Sequence, residues 1–368
     1  MLQVLSYKDK HAWEKALKLF FHKDVYYYQE YCILYHLIGE GDPYLAIYVD
    51  MENNKVCYPF IRRPISLPFQ TDFSDDFDII TPYGYGGPIT ETFDVKIIEN
   101  FRKEFDEYCS SNNIISEFIR FHPLLKNHRY LDGLVDVQYD RETVFVDLTK
   151  SEEEILAGYH KNHRRNLKKA VRNQLKFKVL ENEEAQKYSK EFYDLYRKTM
   201  DKLSAASYYY FSEDYVKKLL SGLEKNSMIA AVFLNEKLVS AALCMYEDEF
   251  VHYHLGCSQK ELLHLGINVF LFHNISLWAK QKGIHSFHLG GGHIGRDSLF
   301  NFKYRFNQEG TVGYYFGRKI HDEIKYHSLV SAWESYHSQK SRTTFFPAYR
   351  ANPINNLPKK VVKETIHT

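Results

Sequence analysis

The sequence predicts a mixed α/β fold built as two similar units in tandem. Two observations lead there. The apolar pattern switches repeatedly between period two and period 3.6. The order hairpin, helix, strand, connection, strand also occurs once before about residue 140 and again after it. A chain of 368 residues is long enough for two cores. The expected division is 1–140, 141–325, and a C-terminal helix and polar tail at 326–368, with a cleft between the first two units.

In the first unit, residues 44–49 and 56–61 alternate as strands around a turn at 51–54. A helix follows at 95–110, then a strand at 114–121 that His122 and Pro123 end. A strand at 143–148 closes this half. The second unit opens with Ser151 and Glu154, spaced as a capping box before Ile155 and Leu156. Helices are predicted over 163–174 and 185–200. A meander follows at 228–234, 238–246 and 250–255, with turns at Asn235-Glu236-Lys237 and Glu247-Asp248. A helix over 266–282 stops at Gly283. The last elements are a strand at 284–289, a short helix from Asp297 and a strand at 311–316. Residues 347–368 read as a loosely attached polar tail.

Composition narrows the function. The net charge is +1, so no global field draws the chain to nucleic acid or anionic lipid, and such binding needs a local patch. The 30 tyrosines supply flat apolar area with polar tips, which suits pockets for sugars, peptides or bases. Five cysteines, an odd number without metal or redox spacing, read as reduced buried thiols in a cytoplasmic protein. No apolar signal core and no run of about twenty apolar residues is present, so no transmembrane segment is expected. No His, Asp and Glu set has ligand spacing, so no metal is expected.

Residues 289–306, LGGGHIGRDSLFNFKYRF, concentrate the chemistry. Gly290, Gly291 and Gly292 allow a close backbone approach to a ligand. Asp297 is placed to cap the next helix, on which Leu299, Phe302 and Phe306 are expected to face the core. Lys303 then sits beside an aromatic at the end of a strand. A cation there stabilises an oxyanion or grips a phosphate; the alternative is an ordinary solvated lysine.

A second feature is HRRNLKKAVRNQ, residues 163–174. On a helical projection, Arg164, Arg165, Lys168, Lys169 and Arg172 fall within an arc of about 140°. Leu167, Ala170 and Val171 are expected to dock on the core. With no carboxylate interleaved, the cationic face fits a polyanion such as a diphosphate, a nucleotide-sugar or an RNA backbone.

Several stretches together resemble the FemABX aminoacyltransferases, tandem relatives of the GNAT acyltransferases. They are DVYYYQEY (24–31), PYGYGGP (82–88), EFIRFHP (117–123), RRNLKKA (164–170), FYDLYRKTM (192–200) with the following YYYF, and DSLFNFKYRF (297–306). The resemblance implies tandem GNAT-like units and transfer of an aminoacyl or acyl group onto an amine of a cell-envelope precursor, of the peptidoglycan cross-bridge type. It implies aminoacyl-tRNA as donor, no tightly bound cofactor, and a nucleotide- or lipid-linked muropeptide or glycan as acceptor. Such an enzyme works in the cytoplasm or at the inner face of the membrane, in peripheral contact with it. Two alternatives stand beside it. One is an acyl-CoA-dependent N-acyltransferase of an amino sugar or lipid-linked glycan. The other is a non-catalytic module that binds RNA or precursor. The turn CSQKELLHLGIN offers only Gly266 where GNAT enzymes hold the CoA pyrophosphate with a Q-x-x-G-x-G/A loop.

On this reading Lys303 stabilises the oxyanion, with Phe302 shaping the pocket and His254 accepting the amine proton. Tyr208 and Tyr209, Tyr83 and Tyr85, Arg120, the glycines 290–292 and the helix cations Arg164, Arg165, Lys168 and Lys169 are the candidate substrate contacts. Arg120 either holds a carboxylate or pairs with Glu117.

Overall fold

The computed structural model describes residues 1–67, 75–92, 94–206, 209–341 and 345–353. They form two compact units: 1–21, 35–139 and the described residues from 315 onward in one, 22–34 and 140–314 in the other. Two segments thus leave the simple chain order, residues 22–34 and the stretch from 315 onward.

The chain begins with β1 (Leu2–Ser6), α1 (Lys10–Leu17) and α2 (Gln29–Leu37). Next come β2 (Asp42–Val49), β3 (Lys55–Pro64), β4 (Phe77–Ile80) and β5 (Ile89–Thr90). Then α3 (Val95–Ser111) and β6 (Ile114–Arg120) lead to the long strand β7 (Asp136–Asp147). The helices α4 (Glu152–Gly158) and α5 (Lys161–Arg172) precede β8 (Lys176–Leu180), α6 (Asn182–Leu203) and α7 (Glu213–Gly222). The meander is β9 (Ser227–Leu234), β10 (Lys237–Tyr246) and β11 (Phe250–Ser258), followed by α8 (Ile267–Gln281) and β12 (Ser286–Gly291). The described chain ends with α9 (Ser298–Tyr304), β13 (Thr311–Ile320) and α10 (Glu323–His337).

In the first unit the strand order is β1-β2-β3-β4-β6-β13, with β5 beside β3. Asp94 caps α3, accepting from the Lys96 N–H at 2.9 Å. The apolar stripe of α3, Ile97, Ile98, Phe101, Phe105 and Cys109, packs on Tyr58 and Phe60 of β3 and Ile119 of β6. The expectation of a loose tail is corrected here for residues 348–351. Tyr349 is fully buried, bonds Ser116 and Asp78, and joins Trp333 of α10 in a second core. An aromatic and two alanines near prolines supplied apolar area that a reading of polarity alone overlooked. Residues 354–368 lie outside the described residues.

In the second unit the order is β7-β12-β11-β10-β9-β8. Met228, Ala230 and Val232 of β9 face α8 and α5 through one core, together with Leu167, Phe272, Ile275, Phe300 and Phe306. The alternate strand face packs on α6 and α7. The Ser151–Glu154 capping box starts α4 as its spacing predicts. All five cysteines are buried thiols outside any disulfide. Among the described residues, no helix is long and apolar enough to cross a membrane.

Candidate active site

β11 and β12 run parallel but pair over only three positions, Phe250↔Ser286, Val251↔Phe287 and His252↔His288. Beyond them β11 stays with β10, and β12 follows β7 through Gly290 and Gly291. A bulge helps to turn β11 away: Tyr253 pairs with Cys244 and Leu255 with Leu243, leaving His254 as the extra residue. Two diverging parallel strands open a wedge between their C-terminal halves, where polar groups can converge.

Lys303 fills the mouth of that wedge. Its Nζ donates to the Gly291 carbonyl at 2.8 Å and lies 5.6 Å from the centre of the Tyr253 ring. The loop before it explains the placement. Asp297 caps α9, accepting from Phe300 N–H at 2.8 Å, while its other oxygen accepts from His293 N–H at 2.7 Å and Ile294 N–H at 3.1 Å. A Cβ at residue 292 would lie 2.4 Å from Asp297 Oδ1, so only glycine admits this cap. Gly290 has φ +75°, in the region glycine favours. The close approach that Gly292 allows is therefore to the chain's own Asp297.

The helical face differs from expectation by one residue. Leu299 is 46% exposed, whereas Phe300 and Lys303 point inward with Phe306. Asp297 fixes where α9 starts, and Phe300 then meets the core three residues before Lys303. Lys303 is only 6% exposed, which removes the solvated reading. Burial lowers its pKa to about 7, against the opposing charge of Asp297. Among the described residues its ammonium has one hydrogen-bond acceptor, Gly291, and three protons to give. Phe302 packs edge-on against Phe272 of α8.

His254 is not brought to Lys303. Tyr253 packs on Phe272 of α8, whereas the His254 Nε2 lies 2.9 Å from the Tyr215 hydroxyl of α7. The two side chains thus serve opposite faces of the sheet. Burial, with His252 nearby, lowers the His254 pKa to about 3, so it is a weak base at neutral pH. Tyr209 does reach the loop, its ring centred 6.2 Å from that of His293. Tyr208 lies outside the described residues.

On α5 the cations Arg164, Arg165, Lys168, Lys169 and Arg172 are all exposed. Among the described residues, no carboxylate pairs with any of them. Val171 is 61% exposed and His163 takes its expected place in the core stripe, with Leu167 and Ala170. Positions 163, 167 and 170 lie within about 60° of one another, which 171 does not match.

Tyr83, Tyr85 and Arg120 belong to the first unit. Arg120 donates to the Thr81 carbonyl at 2.9 Å, and Glu117 takes the buried Arg102, which removes the Arg120–Glu117 pair as one of the two alternatives for Arg120. Tyr85 meets His122 edge-on, and Gly86 N–H donates to the Arg120 carbonyl at 2.7 Å.

One buried polar chain carried no sequence signal beyond an isolated Asp, two His and a Thr. The His252 Nε2 lies 2.6 Å from Asp24 Oδ2, His252 Nδ1 lies 3.3 Å from His288 Nδ1, and His288 Nε2 lies 2.9 Å from Thr143 Oγ1. All four belong to the second unit, and Thr143 is the register partner of Gly291. The segment 22–34 is thereby bonded to the strands that form the wedge.

Residues 157–304 match the acetyltransferase (GNAT) domain model. No curated protein sequence matches the chain. Among solved structures, FemX covers 89% of this chain and 99% of its own, at 12% identity and TM-score 0.68. The L-PGS of Bacillus licheniformis covers 88% and 96%, at 14% identity and TM-score 0.55. The C-terminal domain of a putative lysylphosphatidylglycerol synthetase from Agrobacterium fabrum covers 86% and 93%, at 16% identity and TM-score 0.53. At these identities the likeness is one of fold. The residues that match the acetyltransferase (GNAT) domain model are those that carry the wedge strands β11 and β12 and Lys303.

Proposed function

We propose that the protein transfers an aminoacyl group onto an amine of a cell-envelope precursor. The observation that carries this reading is Lys303, a buried ammonium with unspent N–H donors at the mouth of the wedge. The acceptor amine attacks the ester carbonyl, the carbonyl oxygen becomes an oxyanion, and the leaving alcohol departs with a proton. A cation aimed from a low-dielectric site stabilises that oxyanion more than it does the ground state. The likeness in fold to FemX and to lysylphosphatidylglycerol synthetases supports an aminoacyl donor and an envelope acceptor.

The turn before α8 supports aminoacyl-tRNA over acyl-CoA. Two of its N–H groups are engaged internally, Leu262 with Gln259 and Gly266 with Leu263. A Cβ at Gly266 would lie 2.5 Å from the Asn166 carbonyl, so α5 packs directly on this turn. The exposed cations on the outer face of α5, which meet no carboxylate among the described residues, are suited to a phosphate backbone or a diphosphate.

A ligand that binds the folded state raises its melting temperature, so the first experiment is a melting screen. Charged tRNA and a UDP-muropeptide are expected to stabilise, and stabilisation by CoA thioesters alone would select the acyl-CoA reading. With the donor in hand, Lys303→Ala should lower kcat on the order of a hundred- to a thousandfold with little change in KM. Lys303→Arg should not restore it, because a planar guanidinium does not replace a compact ammonium. Wild-type kinetics in the alanine variant would remove Lys303 from the mechanism.

A further inference from the structure

Helices α5 and α9 are joined at two points. The backbone N–H of His160, at the start of α5, donates to the Arg305 carbonyl at 2.8 Å. Three residues on, the Nε2 of His163 lies 2.9 Å from the Phe302 carbonyl. A carbonyl only accepts, so Nε2 carries the proton and Nδ1 is bare. His163 is 2% exposed, and its Nδ1 has no hydrogen-bond partner. The ring packs on Phe302 and Phe306, with centres 5.1 and 4.3 Å away.

That arrangement is costly for packing alone. A buried acceptor without a partner carries a desolvation penalty, and a phenylalanine in the same aromatic socket would avoid it. What histidine adds is the bond to the Phe302 carbonyl, on the residue that precedes Lys303. Burial lowers the His163 pKa to about 4, so the neutral donor persists at physiological pH. The titratable and charged neighbours are His160 and Arg305 around His163, and Asp297 around Lys303, which also faces Tyr253 of β11.

We propose that His163 is a positioning residue for Lys303, its Nε2–H bond to the Phe302 carbonyl holding α5, Phe302 and the Lys303 ammonium as one body. The proposal rests on the reading of Lys303 given above, and it extends the site to the inner face of the cationic helix. Ligand contacts on the outer face of α5 then act on the lysine through the His163 bond beside the backbone bond of His160, rather than through solvent.

The test compares His163→Phe, which keeps the ring and drops the donor, with His163→Gln, which keeps a donor of similar reach. The measurement is the pH midpoint at which Lys303 reacts with a small amine-directed ester, followed by peptide mass spectrometry. The wild-type midpoint is expected near 7. In His163→Phe it should rise by about one unit or more, toward the value of an exposed lysine. His163→Gln should stay near wild type. A wild-type midpoint in His163→Phe, even with a lowered melting temperature, would make His163 a packing residue and overturn the proposal. If that variant does not fold, the 15N shifts of His163 in the unmodified protein decide. Protonated Nε2 with bare Nδ1 supports the bond, and the opposite tautomer refutes it. The labelling needs neither donor nor acceptor, so it remains readable even if the chain transfers no aminoacyl group.

Discussion

Replacing Lys303 by methionine should make the protein more stable and change how its stability depends on pH. Lys303 has a pKa near 10.5 in the unfolded chain and about 7 in the fold, lowered by burial. The sign follows from proton counts. Below pH 7 both states hold the proton and the penalty for burying the ammonium is complete. Between 7 and 10.5 the unfolded state binds more protons, so stability rises with pH. Integrated from pH 6 to pH 9, the relief is about 3 kcal/mol. Lys303→Met keeps a flexible apolar stem in the same space and has no such term. Urea unfolding of both proteins at pH 6 and pH 9 gives the difference directly. Wild type should gain about 3 kcal/mol relative to the variant between the two pH values. At pH 6 the variant should be the more stable, less the bond to the Gly291 carbonyl. Parallel pH dependences would show that Lys303 is hydrated in the fold, and the reasoning from its burial would fail.

Charge reversal of Arg165, Lys168 and Lys169 should weaken binding of a phosphate-bearing substrate and flatten its salt dependence. Stability should shift by no more than about 0.5 kcal/mol, because all three are exposed; unchanged affinity across a salt series would mean a merely solvated face. In the first unit, Arg102→Met should cost about 3–5 kcal/mol, since it strands the fully buried Glu117. Burial alone would raise the Glu117 pKa, and Arg102 with His321 instead holds it below the usual carboxylate range. A loss under about 1 kcal/mol in urea unfolding would count against that pairing.

Much of the architecture is legible in local pattern. Period-two runs of apolar residues place the meander β9-β10-β11, because a half-buried strand must alternate and short polar turns must join antiparallel neighbours. Ser151 with Glu154 and Asp297 mark helix starts, because a cap is a bond between residues three apart. The five cations on α5 are legible for the same reason: a helix converts spacing into a face.

What tertiary structure decided is which face meets what. Leu299 and Val171 are as apolar as Phe300, yet they point outward, because caps and neighbouring helices set the rotation of a short helix more strongly than one side chain does. That single-residue difference turns Lys303 from a surface cation into a buried one, while the alternation and bulge of β11 send His254 to the other face of the sheet. The Asp24–His252–His288–Thr143 chain joins residues more than two hundred positions apart, and His163 finds its carbonyl 139 positions away. Hydrogen bonds of that separation have no periodicity to read, since they exist only once strands have paired and helices have packed. The sequence by itself determined the elements and the cationic helix; the burial that tunes Lys303 arose only when those elements enclosed it.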